Sequence, residues 1–118
     1  MTLNPSDRQY TKEHEWLKIQ DAESNLAIVG ITYYAQEQLG DVVFIDMPEI
    51  GSNLVHMEKM GEIESVKAVS DLFSPVSGEV IKTNSELLDR PELINEDPYN
   101  DGWILQVILS DTGELSSL

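Results

Sequence analysis

One lysine of this sequence, Lys67, stands among small and acidic neighbours in the string GEIESVKAVSDLFSPVSGEV. Val66 and Ala68 flank it directly. A lysine that an enzyme acylates must stand clear of the core on a defined turn, because the modifying enzyme has to grip the backbone and reach the amine. Amide formation at the amine removes its charge. The residues alone leave two interpretations open: an exposed turn lysine paired with Glu64 or Asp71, which is the commoner case for a surface lysine, or covalent attachment at Lys67.

Other chemistries find little support in the residue types. The chain has no cysteine, which excludes a disulfide scaffold, a thiol nucleophile and a cysteine metal site. It also lacks the G-x-S-x-G, P-loop, GxGxxG and H-E-x-x-H patterns. An enzyme acting through acidic residues would need two carboxylates in one pocket with pKa values driven apart. Any redox chemistry must therefore come from an attached group.

The charge balance is strongly acidic, with 7 Lys and Arg against 22 Asp and Glu and a formal net charge of −15. Such a chain is repelled by nucleic acid and by anionic lipid, so we expect neither as a partner. We expect partner proteins with basic docking surfaces, although the charge could serve only to keep a monomer soluble. No stretch approaches the roughly 20 apolar residues of a membrane span. The beginning MTLNPSDRQY shows no export or organelle signal, which favours a cytoplasmic protein.

Short strands separated by turn signals must position these residues. Thr32 is a fair N-cap and Gly40 a natural end for a helix over residues 33–39, and Ser85 opens a second short helix that Pro91 interrupts. The hydrophobic runs predict a first hairpin, a lysine hairpin with Lys67 at its tip, and three further strands. The predicted strands are residues 15–19, 26–31, 41–47, 60–66, 71–75, 76–83 and 103–109.

This pattern predicts a mainly β fold, a β-sandwich or flattened barrel with short helices after Thr32 and Ser85. We expect a single domain over residues 1–118, with an ordered core at about 8–110 and a loose polar tail. Gly61 and Gly78 bracket the lysine hairpin and predict positive φ angles or close strand approach. The aromatic residues in strand contexts are expected in the core; they are Trp16, Phe44, Phe73 and Trp103.

The lysine string, ESVKA followed by SD and SPVSGEV, resembles the lipoate attachment region of glycine cleavage H proteins. The resemblance extends over residues 10–109 through YTKEHEW, VGIT, AQEQLGDVVFIDMPEIG and PELINEDPYNDGW, in the family's order. It implies a lipoyl/biotinyl-domain-like β-sandwich with lipoate covalently attached to Lys67 at a hairpin tip. The attachment motif that it implies comprises Glu64, Ser65, Val66, Lys67 and Ala68.

The resemblance also implies a non-catalytic carrier that visits three enzymes. A pyridoxal-phosphate glycine decarboxylase would load the arm with an aminomethyl group, and a folate-dependent aminomethyltransferase would unload it. Dihydrolipoyl dehydrogenase would reoxidise the arm, and a lipoate ligase or lipoyltransferase would attach it. The same motif would serve a lipoyl relay that donates lipoate to other lipoate-dependent enzymes. A purely structural interaction module is a third possibility, and it predicts that Lys67→Arg changes nothing.

A cleft for the arm is implied by two carboxylates. Glu15 matches the family position that lines the cleft receiving the aminomethyl arm, and Asp71 is a second expected wall; the alternative for both is a solvated carboxylate. An acidic groove suits a cationic amine. Where H proteins commonly have Asp-His after Gly-Ile-Thr, this chain has Tyr33 and Tyr34. Tyr34 is predicted either to alter the docking of the arm or simply to pack on the helix, since a phenol does not take up a proton near neutral pH. His14 is expected to be structural within its strand.

Overall fold

A computed structural model describes residues 6–117, which form nine strands, three short α-helices and a C-terminal 3₁₀-helix, Thr112–Ser117. The helices are α1 (Tyr33–Leu39), α2 (Glu86–Asp89) and α3 (Leu93–Glu96). The strands are β1 (Gln9–Tyr10), β2 (Glu15–Asp21), β3 (Leu26–Ile31), β4 (Val42–Asp46), β5 (Asn53–Leu54), β6 (Lys59–Ser65), β7 (Val69–Phe73), β8 (Gly78–Thr83) and β9 (Leu105–Leu109).

The strands form two antiparallel sheets that share one apolar core. The larger sheet has the order β1-β2-β3-β9-β8-β5, and the smaller sheet has the order β4-β6-β7. Successive side chains of a strand point to opposite faces, so each sheet turns one face inwards. Leu17, Val29 and Val107 of the larger sheet belong to the same buried cluster as Ile45 and Ile63 of the smaller sheet. The predicted mainly β sandwich is confirmed, and the sheets do not close into a barrel.

The two helices predicted from cap residues are confirmed. The Thr32 hydroxyl accepts a hydrogen bond from the Ala35 backbone N–H at 3.1 Å, and Gly40 ends α1 with a φ of +80°. The second helix follows Ser85, whose hydroxyl makes no capping bond. In the described part of the chain, no helix has the length and apolar character needed to cross a membrane.

The lysine hairpin is confirmed as β6 and β7, with residues 66–68 at its tip. The two glycines that bracket the hairpin, Gly61 and Gly78, allow neighbouring strands to approach closely and do not have positive φ angles. A Cβ atom at Gly61 would collide with the backbone carbonyl oxygen of Asp46 in β4, and one at Gly78 would collide with that of Ile108 in β9. Both glycines therefore let neighbouring strands pack more closely than a side chain would allow.

Phe44 does not lie in the core as predicted; it is half exposed on the outer face of the smaller sheet. The register between β4 and β6 shifts between Val42 and Phe44. A bulge of this kind inserts one extra residue and turns the side chains that follow it. Val43 and Phe44 consequently both face outwards.

The C-terminal tail also differs from the prediction of a loose segment. The Glu114 carboxylate accepts hydrogen bonds from the Ser77 backbone N–H at 2.7 Å and from the Ser77 hydroxyl at 2.8 Å. Leu115 packs against the hydrophobic core. Ser77 and Glu114 are 37 positions apart, so the polar composition of the tail did not indicate their hydrogen bonds.

We expect Gly61→Ala to lower the free energy of unfolding by about 1–3 kcal/mol, because a backbone carbonyl cannot move aside as a flexible side chain can. The matched control is Gly113→Ala, whose Cβ would meet only the end of the exposed Asp111 side chain at 3.0 Å. Denaturant unfolding of both variants checks the prediction. Equal stabilities would contradict it.

Candidate functional site

The turn that carries Lys67 is held from the inside by Ser65. The Ser65 side chain is buried, and its hydroxyl oxygen accepts hydrogen bonds from the backbone N–H of Lys67 at 3.3 Å and of Ala68 at 3.2 Å. The Ser65 backbone N–H donates to the Ala68 carbonyl at 2.8 Å. A hydroxyl that satisfies turn N–H groups in this way fixes the local backbone. The tip is therefore a defined turn, as attachment at Lys67 requires.

The tip is also tied to the body of the protein. The Val66 N–H donates to the carbonyl of Asp41, directly before β4, at 3.0 Å. The Lys67 side chain passes over Gly40, where an added Cβ would lie 3.5 Å from the lysine Cε. The lysine stem thus leaves the tip in the direction of α1.

Lys67 is exposed, and its amine makes no ion pair with Glu64 or Asp71. Asp71 binds Lys59 instead, with 3.2 Å between the lysine nitrogen and the carboxylate, and Glu62 binds the same lysine at 3.2 Å. Within residues 6–117, no carboxylate lies within ion-pair distance of the Lys67 amine. The amine is therefore open to an approaching enzyme.

Beside the hairpin lies a cavity of about 270 Å³, which we name the α1 cleft. Its walls come from α1, from the turn before β2 and from β7. Its lining combines an apolar floor with carboxylates and two exposed rings. The lining residues are Glu13, His14, Glu15, Ile31, Tyr34, Ala35, Gln38, Leu39, Ile63, Ala68, Ser70, Asp71 and Leu72.

The α1 cleft brings together all three residues predicted for it from the resemblance. Glu15, Tyr34 and Asp71 line it, and so does Ala68, the residue next to Lys67. The Lys67 side chain lies outside the lining but starts at its rim. An apolar floor that ends in carboxylates suits a flexible apolar chain with a cationic end.

Glu15 is a buried carboxylate, with 2% of its surface exposed. Burial raises its pKa from 4.5 to about 7, against the opposing effect of hydrogen bonds, chiefly those from Thr11 and Phe73. The Thr11 hydroxyl donates to Oε1 at 2.7 Å, and the Phe73 backbone N–H donates to Oε2 at 3.3 Å. Glu15 therefore exchanges a proton near neutral pH, which sequence reasoning did not reveal.

His14 was predicted to lie within its strand with a structural role, and the placement in the strand was wrong. It lies in the turn before β2 with a φ of +70°, its side chain is exposed, and it lines the α1 cleft. Its ring centroid lies 4.6 Å from that of Tyr34, with 50° between the ring planes. The Thr32 N–H donates to the His14 carbonyl at 3.0 Å. This contact spans 18 residues, so no local pattern could have indicated it.

Asn95 is a second residue that the sequence did not single out. Its side-chain N–H₂ donates to the Gly40 carbonyl at 2.7 Å and to the Gln36 side chain at 3.0 Å. Its side-chain oxygen accepts from the Val42 N–H at 2.9 Å. Asn95 thereby joins the end of α1 to the start of β4 and fixes α1 beside the lysine hairpin.

Comparison with known families matches residues 8–118 to the family described as glycine cleavage H-protein. The chain belongs to this family. A glycine cleavage system H protein of Symbiobacterium thermophilum is 54% identical over 114 residues, 97% of this chain and 87% of the relative. One from Rubrobacter xylanophilus is 56% identical over 113 residues, 96% of this chain and 87% of the relative. The family is the lipoyl carrier of the glycine cleavage system, and this chain is a carrier protein of that system.

A solved structure supports the same assignment. The crystal structure of a glycine cleavage system H protein from Mycobacterium marinum is 38% identical, and the match covers 97% of each chain with a TM-score of 0.85. The lipoyl-domain-like sandwich expected from the resemblance is thereby confirmed for this member of the H-protein family.

We expect the stability of the protein to fall relative to that of Glu15→Gln as the pH rises from about 4.5 to about 7. In this range the unfolded chain releases the Glu15 proton while the folded chain retains it, so rising pH favours unfolding. The full difference is about 3 kcal/mol; most of it is present at pH 7, and it becomes constant at about pH 8. Denaturant unfolding of both proteins from pH 4 to pH 8 measures it. A difference that did not change with pH would contradict the buried carboxylate.

Proposed function

We propose that Lys67 carries a lipoyl group in amide linkage and that this chain takes the group from enzyme to enzyme of the glycine cleavage system without catalysing a reaction itself. The observation that carries the proposal is the exposed Lys67 amine on the Ser65-held turn, at the rim of the α1 cleft. A lysine tuned for its own chemistry would need burial or a close charge partner. Lys67 has neither among the described residues.

The residues around Lys67 fit a lipoyl group. When bound, lipoate supplies a disulfide whose reduced form carries the aminomethyl group on sulfur. The Lys67 amine provides the amide nitrogen, and Gly40 leaves room for the lysine stem to turn towards α1. The apolar floor of the cleft, formed by Ile31, Leu39 and Ile63, shields a hydrocarbon chain from water.

The attachment motif divides into two roles. Glu64, Val66 and Ala68 are exposed around the lysine, with 70% of the Val66 surface accessible, so a lipoate ligase or lipoyltransferase can contact them directly. Ser65 is buried and acts on the turn backbone. We therefore assign recognition to the exposed residues and presentation of the amine to Ser65.

Glu15 and Asp71 hold the cationic end of the loaded arm in this proposal. Both line the α1 cleft, and the arm's amine is positively charged near neutral pH. An adjacent cation favours the ionised carboxylate and so opposes the effect of burial on the pKa of Glu15. Holding the amine in the cleft keeps it from water between visits to the decarboxylase, the aminomethyltransferase and dihydrolipoyl dehydrogenase.

We expect a lipoyl mass increment on the protein treated with lipoate, ATP and a lipoate ligase, and none on Lys67→Arg, because a guanidinium does not accept the acyl group. Lys59→Arg in the same hairpin is the matched control and keeps the increment, since Lys59 is held by Glu62 and Asp71. Intact mass and peptide mapping measure both. A bare Lys67 in the folded protein, with an active ligase, would refute attachment.

We expect the lipoylated chain to support release of carbon dioxide from glycine by glycine decarboxylase, and the lipoylated Lys59→Arg variant to do the same. The unmodified chain is expected to support none, because the accepting group is absent. Labelled carbon dioxide measures the release. Failure of release, together with transfer of lipoate from this chain to another lipoyl domain, would instead indicate a lipoyl relay.

A further inference from the structure

A second cavity, of about 110 Å³, lies on the outer face of the larger sheet, and we name it the sheet cavity. Trp16, Lys18 and Gln20 line it as alternate residues of β2, so they face away from Leu17 and the core. Its other side comes from the loop over residues 99–103, after α3. The sheet cavity shares no lining residue with the α1 cleft, so the carrier role assigns it no task.

The charges that line the sheet cavity are opposite in sign to the net charge of the chain. Asp and Glu outnumber Lys and Arg by 22 to 7 in the sequence. Among the residues that the structure describes, however, the charged lining residues are Arg8 and Lys18, and no carboxylate lines the cavity. Asp7 lies close by, 3.2 Å from the Arg8 Nε and 3.3 Å from the Lys18 amine. Two cations therefore share one carboxylate, and this group of three carries a net positive charge.

Arg8 is a buried cation whose hydrogen-bonding capacity is not filled. Its side chain is 7% exposed, and its guanidinium carbon lies 4.5 Å from the ring centroid of Trp16 and 5.4 Å from that of Tyr99. In the described part of the chain its buried Nε–H has no hydrogen-bond acceptor, since the nearby Asp7 oxygen lies off the N–H direction. A buried charged donor without a hydrogen bond is costly, and guanidinium groups bind carboxylates strongly. The guanidinium therefore favours a further anion at the cavity.

The aromatic walls of the sheet cavity are held in place by hydrogen bonds to other parts of the chain. The Trp16 indole N–H donates to the Pro98 carbonyl at 3.0 Å, and the Tyr99 hydroxyl accepts from the Tyr33 backbone N–H at 3.0 Å. Together with Trp103, these rings provide flat apolar surfaces beside the two cations. Such a lining suits an anionic group joined to a flat apolar body.

We propose that the sheet cavity is a binding site for a small carboxylate joined to a flat apolar group, with Arg8 and Lys18 as its cationic ligands. Arg8 contacts the carboxylate, Lys18 adds a second positive charge, and the rings pack against the apolar group. Asp7 is an internal competitor, because it pairs with the same two cations when no ligand is bound. The site does not depend on the proposed function, since Lys67 and the α1 cleft lie outside it.

Sodium benzoate is the probe for this site, and benzyl alcohol is its neutral counterpart of similar shape. The full-length chain contains two tryptophans, Trp16 and Trp103, and both line the sheet cavity, so their indole N–H signals report binding in an NMR titration. At pH 7 and low salt we expect benzoate to bind about fivefold or more tightly than benzyl alcohol. Acetate has the charge without the ring and is expected to bind about threefold or more weakly than benzoate.

Three substitutions test the assigned residues. Arg8→Met keeps a hydrocarbon stem against Trp16 and removes the charge, so we expect it to weaken benzoate binding about fivefold. Lys18→Met, at a partly exposed position, is expected to weaken binding about two- to threefold. Asp7→Asn removes the competing carboxylate and is expected to tighten binding about two- to threefold.

Matched controls remove the same charges away from the cavity. Arg90→Met removes an exposed arginine that pairs with Glu92 and Glu96. Glu49→Gln removes an exposed carboxylate in the turn before β5, at the opposite edge of the larger sheet. We expect neither control to change the benzoate affinity by more than about 1.5-fold, because salt and distance weaken the interaction between exposed charges. Thermal unfolding checks that each variant is folded.

The proposal is overturned if benzoate shifts neither indole signal or binds no more tightly than benzyl alcohol. It is also overturned if Arg8→Met and Lys18→Met bind benzoate as the unsubstituted chain does, since Arg8 would then only cover Trp16. If Arg8→Met does not fold, Lys18→Met and Asp7→Asn provide the test. Tighter binding by Asp7→Asn alone supports the site, whereas an equal effect of Glu49→Gln would reflect only the net charge of the chain and contradict it.

Discussion

The side-chain amide of Asn95 is the contact on which the site depends. Its three hydrogen bonds satisfy Gly40 and Gln36 at the end of α1 and Val42 at the start of β4. These hydrogen bonds form only in one arrangement of donor and acceptor atoms, and at least one of them would break if α1 moved relative to β4. The α1 cleft is the space between this helix and the lysine hairpin. Asn95 lies on α3, which lines no part of the cleft itself and yet holds α1, one of its walls, in place.

Elements whose signals are local could be predicted from the sequence. Thr32 and Gly40 bound α1 because a capping hydroxyl and a positive φ act within one helical turn. The lysine hairpin could be predicted because strand-forming hydrophobic runs lie on both sides of a few small residues. The resemblance to H proteins supplied what these signals cannot, the lipoyl-type sandwich and the residues Glu15 and Asp71, which the structure then brings to one cleft.

Features that depend on distant contacts could not be predicted. The turn of His14 needs the N–H of Thr32, and the C-terminal 3₁₀-helix needs Ser77 to bind Glu114. Phe44 turned outwards because a bulge shifted the register of β4, and an aromatic residue in a strand pattern gives no sign of a bulge. The raised pKa of Glu15 also depends on distant contacts, because it arises from burial that only the assembled fold provides.

The hydrogen-bonded turn at Lys67 has a consequence for how the proposed lipoyl group would be delivered. Ser65 and Asp41 hold the backbone on both sides of the lysine, so the pivot of the arm does not move relative to the sheet. The described residues form a small body with a Cα radius of gyration of 13.0 Å. In the proposed role, an arm on this fixed pivot reaches no further than its own bonds, so the folded body has to come close to each enzyme that the arm serves. The rate of delivery in that role then depends on how often the folded body meets each enzyme.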